Sequence, residues 1–193
     1  MSTTTKVIAT ALVGSGAVGG GITYALINKK ESISIEKQLL NDKKTLLTKN
    51  DQVLWTIKLS VYNTLKSKNT KIKLTKTENW GNLKSWCEEK VKEEFNDNNK
   101  ELYEGISSVC TVPTNKEKLS SLNKALASTP EEWENRKVAY QSQGDITEIK
   151  KENLEIEVLK KWCVKNLEEE FTAENEGTYS ATLKWCAKNG GAS

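Results

Sequence analysis

The chain has 193 residues, a formal net charge of +3, no histidine, and a single arginine, Arg136, among its 29 basic residues. The lack of histidine excludes imidazole-based hydrolase triads, two-His zinc sites and His-ligated haem. Setting aside Lys6, Lys29 and Lys30 leaves 26 basic against 26 acidic residues over 31–193, interspersed and almost without the arginine fork that reads phosphates and guanines, which argues against a nucleic-acid partner.

The first element in chain order is an uncharged run from Val7 to Ile27, bounded by Lys6 and by Asn28, Lys29 and Lys30. As a helix it would span about 30 Å, the thickness of a bilayer's hydrocarbon core. Residues 1–30 are therefore expected to be a single-pass transmembrane helix, a signal anchor. Gly16-x-x-x-Gly20 and Ala17-x-x-x-Gly21 offer a small-residue face on which a second copy of the helix would pack as a homodimer. A cleaved signal peptide is the second reading, because the small residues Ser15 to Ala17 resemble a peptidase site.

A third reading is enzymatic. Gly14, Gly16 and Gly19 spell G-x-G-x-x-G, and "SISIE" alternates like a strand ending at Glu36, which would hold the ribose of a nicotinamide dinucleotide in an NAD(P)-binding oxidoreductase. That fold needs several further strand and helix alternations. Beyond Glu36 there are almost no β-branched runs bounded by turn signals, so the reading is set aside and no cofactor is expected.

Residues 31–37 read as a linker, and the remainder as all-α. Leu83, Trp86, Cys87, Phe95, Tyr103 and Cys110 recur at a constant offset of 76 as Leu159, Trp162, Cys163, Phe171, Tyr179 and Cys186. Trp55 and Tyr62 recur at an offset of 78 as Trp133 and Tyr140. Repetition at rare residue types predicts two tandem, homologous helical domains, 38–115 and 116–193. Their joint lies at "CTVPTNKEK", where Pro113 disfavours helix at the preceding residue and Thr114 caps the helix that follows.

Leu83, Cys87, Val91 and Phe95, with Trp86 beside them, form one apolar stripe, and Leu159, Cys163, Leu167 and Phe171 repeat it; a helix is expected through each. Thr129 before Pro130, Glu131 and Glu132 marks another helix start. "NDNN" (96–99) and "TAENEG" (172–177) return the chain.

Residues equidistant from the turn of an antiparallel hairpin face one another. Cys87 and Cys110 are centred between 98 and 99, and Cys163 and Cys186 between 174 and 175. Disulfides Cys87–Cys110 and Cys163–Cys186 are expected, each contributing about 3 kcal/mol. The alternatives are buried free thiols and a four-Cys zinc site, the latter lacking any C-x-x-C pair, so no metal is expected. Disulfides place residues 31–193 outside the membrane, although Lys29 and Lys30 lean the other way by the positive-inside rule. The tryptophans sit at core spacing, and "CEEKVKEE" and "NLEEEF" read as solvated helix faces, so no catalytic residue is expected.

Taken together, the glycine-rich apolar amino terminus, the Lys- and Asn-rich helical body, "LKSWCEE" and "LKKWCVK" resemble the large paralogous families of uncharacterised proteins of haemotropic mycoplasmas. "SSVC" in the first copy departs from "LKWC" in the second. The resemblance implies a membrane-anchored, surface-displayed, non-enzymatic member of a multigene family that takes part in host interaction or antigenic variation. The expected function is binding of a host or envelope protein; the alternative is a structural membrane protein that self-associates through its anchor.

Overall fold

Side-chain caps mark the starts of five of the described α-helices. In the computed structural model, which describes residues 32–75 and 77–189, Ser34, Asp51 and Asn79 each accept a backbone N–H bond from the first turn that follows. Thr114 and Thr129 form capping boxes with Glu117 and Glu132, the starts expected from sequence. The elements are β1 (Ile33–Ser34), α1 (Ile35–Asn41), α2 (Gln52–Leu65), α3 (Trp80–Lys90), β2 (Glu94–Phe95), a 3-10 turn (Asp97–Asn99), α4 (Lys100–Val109), α5 (Asn115–Ser121), α6 (Pro130–Gln143), α7 (Ile156–Leu167) and α8 (Tyr179–Cys186). The described residues are thus mostly helical, with one two-stranded sheet.

That sheet corrects two expectations. "SISIE" supplies only a two-residue strand, antiparallel to β2 with Ile33 opposite Phe95; α1 begins at Ile35, and Glu36 lies exposed in its first turn. Within the stretch expected to be a linker, residues 33–36 are held by pairing. Ile35 is fully buried, and the Ile35 and Glu36 N–H groups donate to the Glu93 and Val91 carbonyls, both at 2.8 Å.

The same pairing explains why the Cys-bearing helices are shorter than their apolar stripes. α3 stops at Lys90 and α7 at Leu167, because residues 91–95 and 169–171 turn extended to meet 33–36 and 113–115. Phe95 and Phe171 therefore lie beyond their helices. Each meets a tyrosine edge-on, Tyr103 and Tyr179, with ring centroids 4.9 Å apart in both pairs.

Other devices hold the loops. α1 and α5 end in left-handed residues, Lys43 (φ 57°) and Asn123 (φ 56°). The chain then runs back beside the ends of α4 and α8: the Leu47 and Ala127 N–H groups donate to the Cys110 and Cys186 carbonyls at 2.9 Å. Tyr62 on α2 accepts from the Leu74 N–H and donates to Glu78, while Tyr140 on α6 accepts from the Ile146 N–H and donates to the carbonyls of that loop. Both tyrosines are buried, so each hydroxyl fixes the long loop after its helix.

One buried cluster runs from Ile35 through Trp55, Leu83 and Leu119 to Phe171 and Cys186. Residues on either side of the 115/116 joint share it, and 31–193 forms one compact unit. A smaller cluster gathers Tyr140, Ile149, Leu159 and Trp185. α2 packs against α3, α4 and α5 and buries Leu54, Trp55, Ile57, Lys58 and Tyr62, whereas α6 buries only Tyr140.

Gly105 on α4 lies where the loop after α2 crosses that helix. A Cβ there would stand 2.2 Å from Ile72 Cγ2 and 2.8 Å from Asn69 Nδ2. Because Asn69 is itself bonded to the Glu101 carbonyl at 2.8 Å, the neighbour has little room to give. Gly105→Ala is expected to destabilise the fold by about 1–3 kcal/mol through overpacking. The measurement is the urea midpoint, which should fall with an unchanged slope.

Candidate functional site

α2, α4 and α5, with the segment between α4 and α5, line an open cleft of about 430 Å³. Half of its lining residues carry hydroxyls: Ser60 and Thr64 from α2, Ser107, Ser108 and Thr111 at the end of α4, and Thr114 and Ser120 around α5. Val61 and Leu65 supply the apolar part.

The floor is Lys58. Its position on the inward face of α2 leaves it 1% exposed, and its ammonium donates to the Ser108 carbonyl at 2.8 Å and to Glu117 Oε2 at 2.7 Å. The same Glu117 oxygen accepts the Thr114 N–H at 2.9 Å. Glu117 is thus at once the counter-ion of a buried lysine and the capping residue of α5. Burial pushes the Lys58 pKa below its ordinary value of 10.5; Glu117 opposes this, and the positive charge of Lys44 adds to it.

Lys44 donates to Ser107 Oγ and has no carboxylate partner among the described residues. At the rim, Lys116 pairs with Glu168 at 3.0 Å. The cleft therefore holds three lysines against two glutamates, and both glutamates are already paired.

The cysteines join as Cys87–Cys110 and Cys163–Cys186, with Cα separations of 5.5 and 5.7 Å. All four are at most 3% exposed. Gly14, Gly16, Ala17, Gly19, Gly20 and Gly21, with the whole anchor run, lie outside the described residues. Among the described residues no helix is long and apolar enough to cross a membrane, and no group of His, Cys, Asp or Glu side chains is arranged to hold a metal.

The glutamates of "CEEKVKEE" and "NLEEEF" are mostly exposed, and Trp55, Trp86 and Trp185 are buried. Sequence reasoning did not find Lys58. A signal was present: at the offset of 78, the same position between the repeated tryptophan and tyrosine carries the only arginine, Arg136. On α2 the cation, Lys58, stands on the inward face beside Trp55 and Tyr62.

Around Arg136 lies a second depression with Glu132 and Lys188. Glu132 accepts the Ser128 and Thr129 N–H groups at 2.8 and 3.1 Å and pairs with Lys188 at 2.8 Å. The Lys188 hydrogen bond and then these two amides hold its pKa at about 2, against an ordinary 4.5. A carboxylate with a depressed folded pKa contributes stability that is present above its unfolded value and lost as pH falls through the folded one. The thermal midpoint is therefore expected to fall between pH 4.5 and about 2, and Glu132→Gln should flatten that fall. An acid titration with the same slope in both proteins would contradict it.

No family model, curated protein or solved structure matches the chain.

Proposed function

We propose that residues 31–193 are the extracellular part of a single-pass, membrane-anchored, non-enzymatic binding protein of a multigene family, built from two copies of one helical repeat and held at the cell membrane by the 7–27 run. The observation that carries the reading is the pair of buried disulfides, one in each helical hairpin. Such bonds persist in oxidising compartments, and thiols facing the cytosol are kept reduced. The neutral, interspersed charge of 31–193 does not favour nucleic acid; a host or envelope protein as the partner is what the resemblance to the multigene families implies.

Duplication is supported by backbone bonds that recur in register. Ile35 N–H to Glu93 O and Leu47 N–H to Cys110 O correspond to Asn115 N–H to Glu169 O and Ala127 N–H to Cys186 O; both donors shift by 80 and both acceptors by 76. The faces of α2 and α6 fit the same reading. Where α2 buries Leu54 and Ile57, α6 carries Glu132 and Asn135, the polar outer face of a terminal repeat.

A membrane-impermeant amine reagent added to intact cells should label lysines between 31 and 193, and peptide mapping without reductant should recover both disulfides. Complete protection from the reagent, or four free thiols, would sink the proposal.

A further inference from the structure

We propose that the cleft between α2, α4 and α5 binds a small anion that carries hydroxyl groups, of the acidic-sugar class, with Lys44 and Lys58 facing its charge. The inference deepens the binding-protein reading by naming a ligand class, and its test does not depend on where the protein sits.

Charge is the first argument. Lys58 with Glu117, and Lys116 with Glu168, are balanced pairs; Lys44 is bonded only to a neutral hydroxyl, that of Ser107. Lys44 and Lys58 are close enough for the one to depress the other's proton affinity. An anion between them offsets that repulsion with two attractions, the second made from a buried position where solvent screens it little, while Glu117 and Glu168, which also line the cleft, are each neutralised by a lysine.

The hydroxyls are the second argument. Thr64, Ser108 and Thr111 already give their protons to the carbonyls of Ser60, Glu104 and Ser107, so they offer lone pairs to a ligand's hydroxyl groups. Ser60 and Ser120 make no side-chain hydrogen bond among the described residues and are able to donate. A wall with both donors and acceptors suits a polyol. Sites for apolar ligands are instead lined mainly by hydrophobic side chains, and here only Val61 and Leu65 are apolar. They offer a surface for the C–H face of a sugar ring. The volume, about 430 Å³, falls within the range of small-molecule sites.

The test is calorimetric titration of the full chain, disulfides intact and solubilised in detergent, with D-glucuronate and with glucose 6-phosphate; neutral glucose and inorganic sulfate are the controls. Saturable binding of at least one acidic sugar is expected, the two arms separating carboxylate from phosphate, with glucose and sulfate each much weaker. Lys44 is exposed, so Lys44→Gln should keep the helical spectrum and bind about tenfold more weakly, the effect of one lost ion pair of about 1.4 kcal/mol. The proposal is overturned if neither acidic sugar binds, if sulfate binds as tightly as they do, or if Lys44→Gln binds as the parent does. Binding by the purified chain together with full protection on intact cells would keep this site and remove the extracellular placement.

Discussion

Reduction of both disulfides is expected to lower the thermal midpoint of the helical body by roughly 12–24 °C, from about 3 kcal/mol for each bridge and about 2–4 °C per kcal/mol in a fold of this size. Each bridge joins cysteines 23 residues apart, the last turns of one helix to the end of the next, and so removes the loop-closure entropy of a whole hairpin from the unfolded chain. Two such terms together rival the total stability of an ordinary domain, about 5–15 kcal/mol. The sulfurs also lie within the core, and the carbonyls of Cys110 and Cys186 take the N–H groups of Leu47 and Ala127. Loosening a hairpin therefore also frees the loop between α1 and α2, or between α5 and α6. Melting followed by far-ultraviolet circular dichroism, with and without reductant, gives the sum; the paired variants Cys87→Ala/Cys110→Ala and Cys163→Ala/Cys186→Ala give the parts. A melting curve that reductant does not move would assign these cysteines to packing alone.

Local signals carried much of this fold. The helix starts at Thr114 and Thr129 were legible because the N–H groups these side chains cap lie three residues away. The cysteine pairing was legible because each pair straddles its turn symmetrically. The ends of α3 and α7 were not, because an apolar residue every four positions continues through Phe95 and Phe171 even though an extended segment buries those rings equally well. What ends these helices is backbone pairing with residues far away in sequence, 33–36 and 113–115. The recurrence of rare residues at one offset says nothing of the limits of packing, so it did not reveal that Leu119 and Leu39 belong to one core. Lys58 was hidden for a similar reason: among so many lysines its one local mark is Arg136 at the offset of 78, and the counter-ion that lets it be buried, Glu117, lies 59 residues on.

Glu117→Ala is expected to destabilise the fold by about 3–5 kcal/mol at neutral pH, because it leaves a buried ammonium without its counter-ion. It also removes the acceptor of the Thr114 N–H. Glu117→Gln keeps an oxygen for that cap and should lose less. Lys58→Met retains the apolar stem and leaves Glu117, whose side chain is 22% exposed, within reach of water; the Ser108 carbonyl loses its donor, a loss of about 1–3 kcal/mol. The double variant Lys58→Met/Glu117→Gln should then be more stable than the two single losses added together, with a coupling of about 0.5–3 kcal/mol in urea denaturation. pH separates charge from capping. Burial already sets the folded pKa of Lys58 below its unfolded value of 10.5, so between the two the unfolded chain binds more protons and stability rises with pH. Removing Glu117 takes away the charge that opposes this shift and widens that window downward from 10.5. The Glu117→Ala deficit relative to the parent should therefore shrink as pH rises toward that value, since a neutral amine is buried at far less cost than an ammonium. A deficit that stays constant over the same range would assign the whole effect of Glu117 to the start of α5.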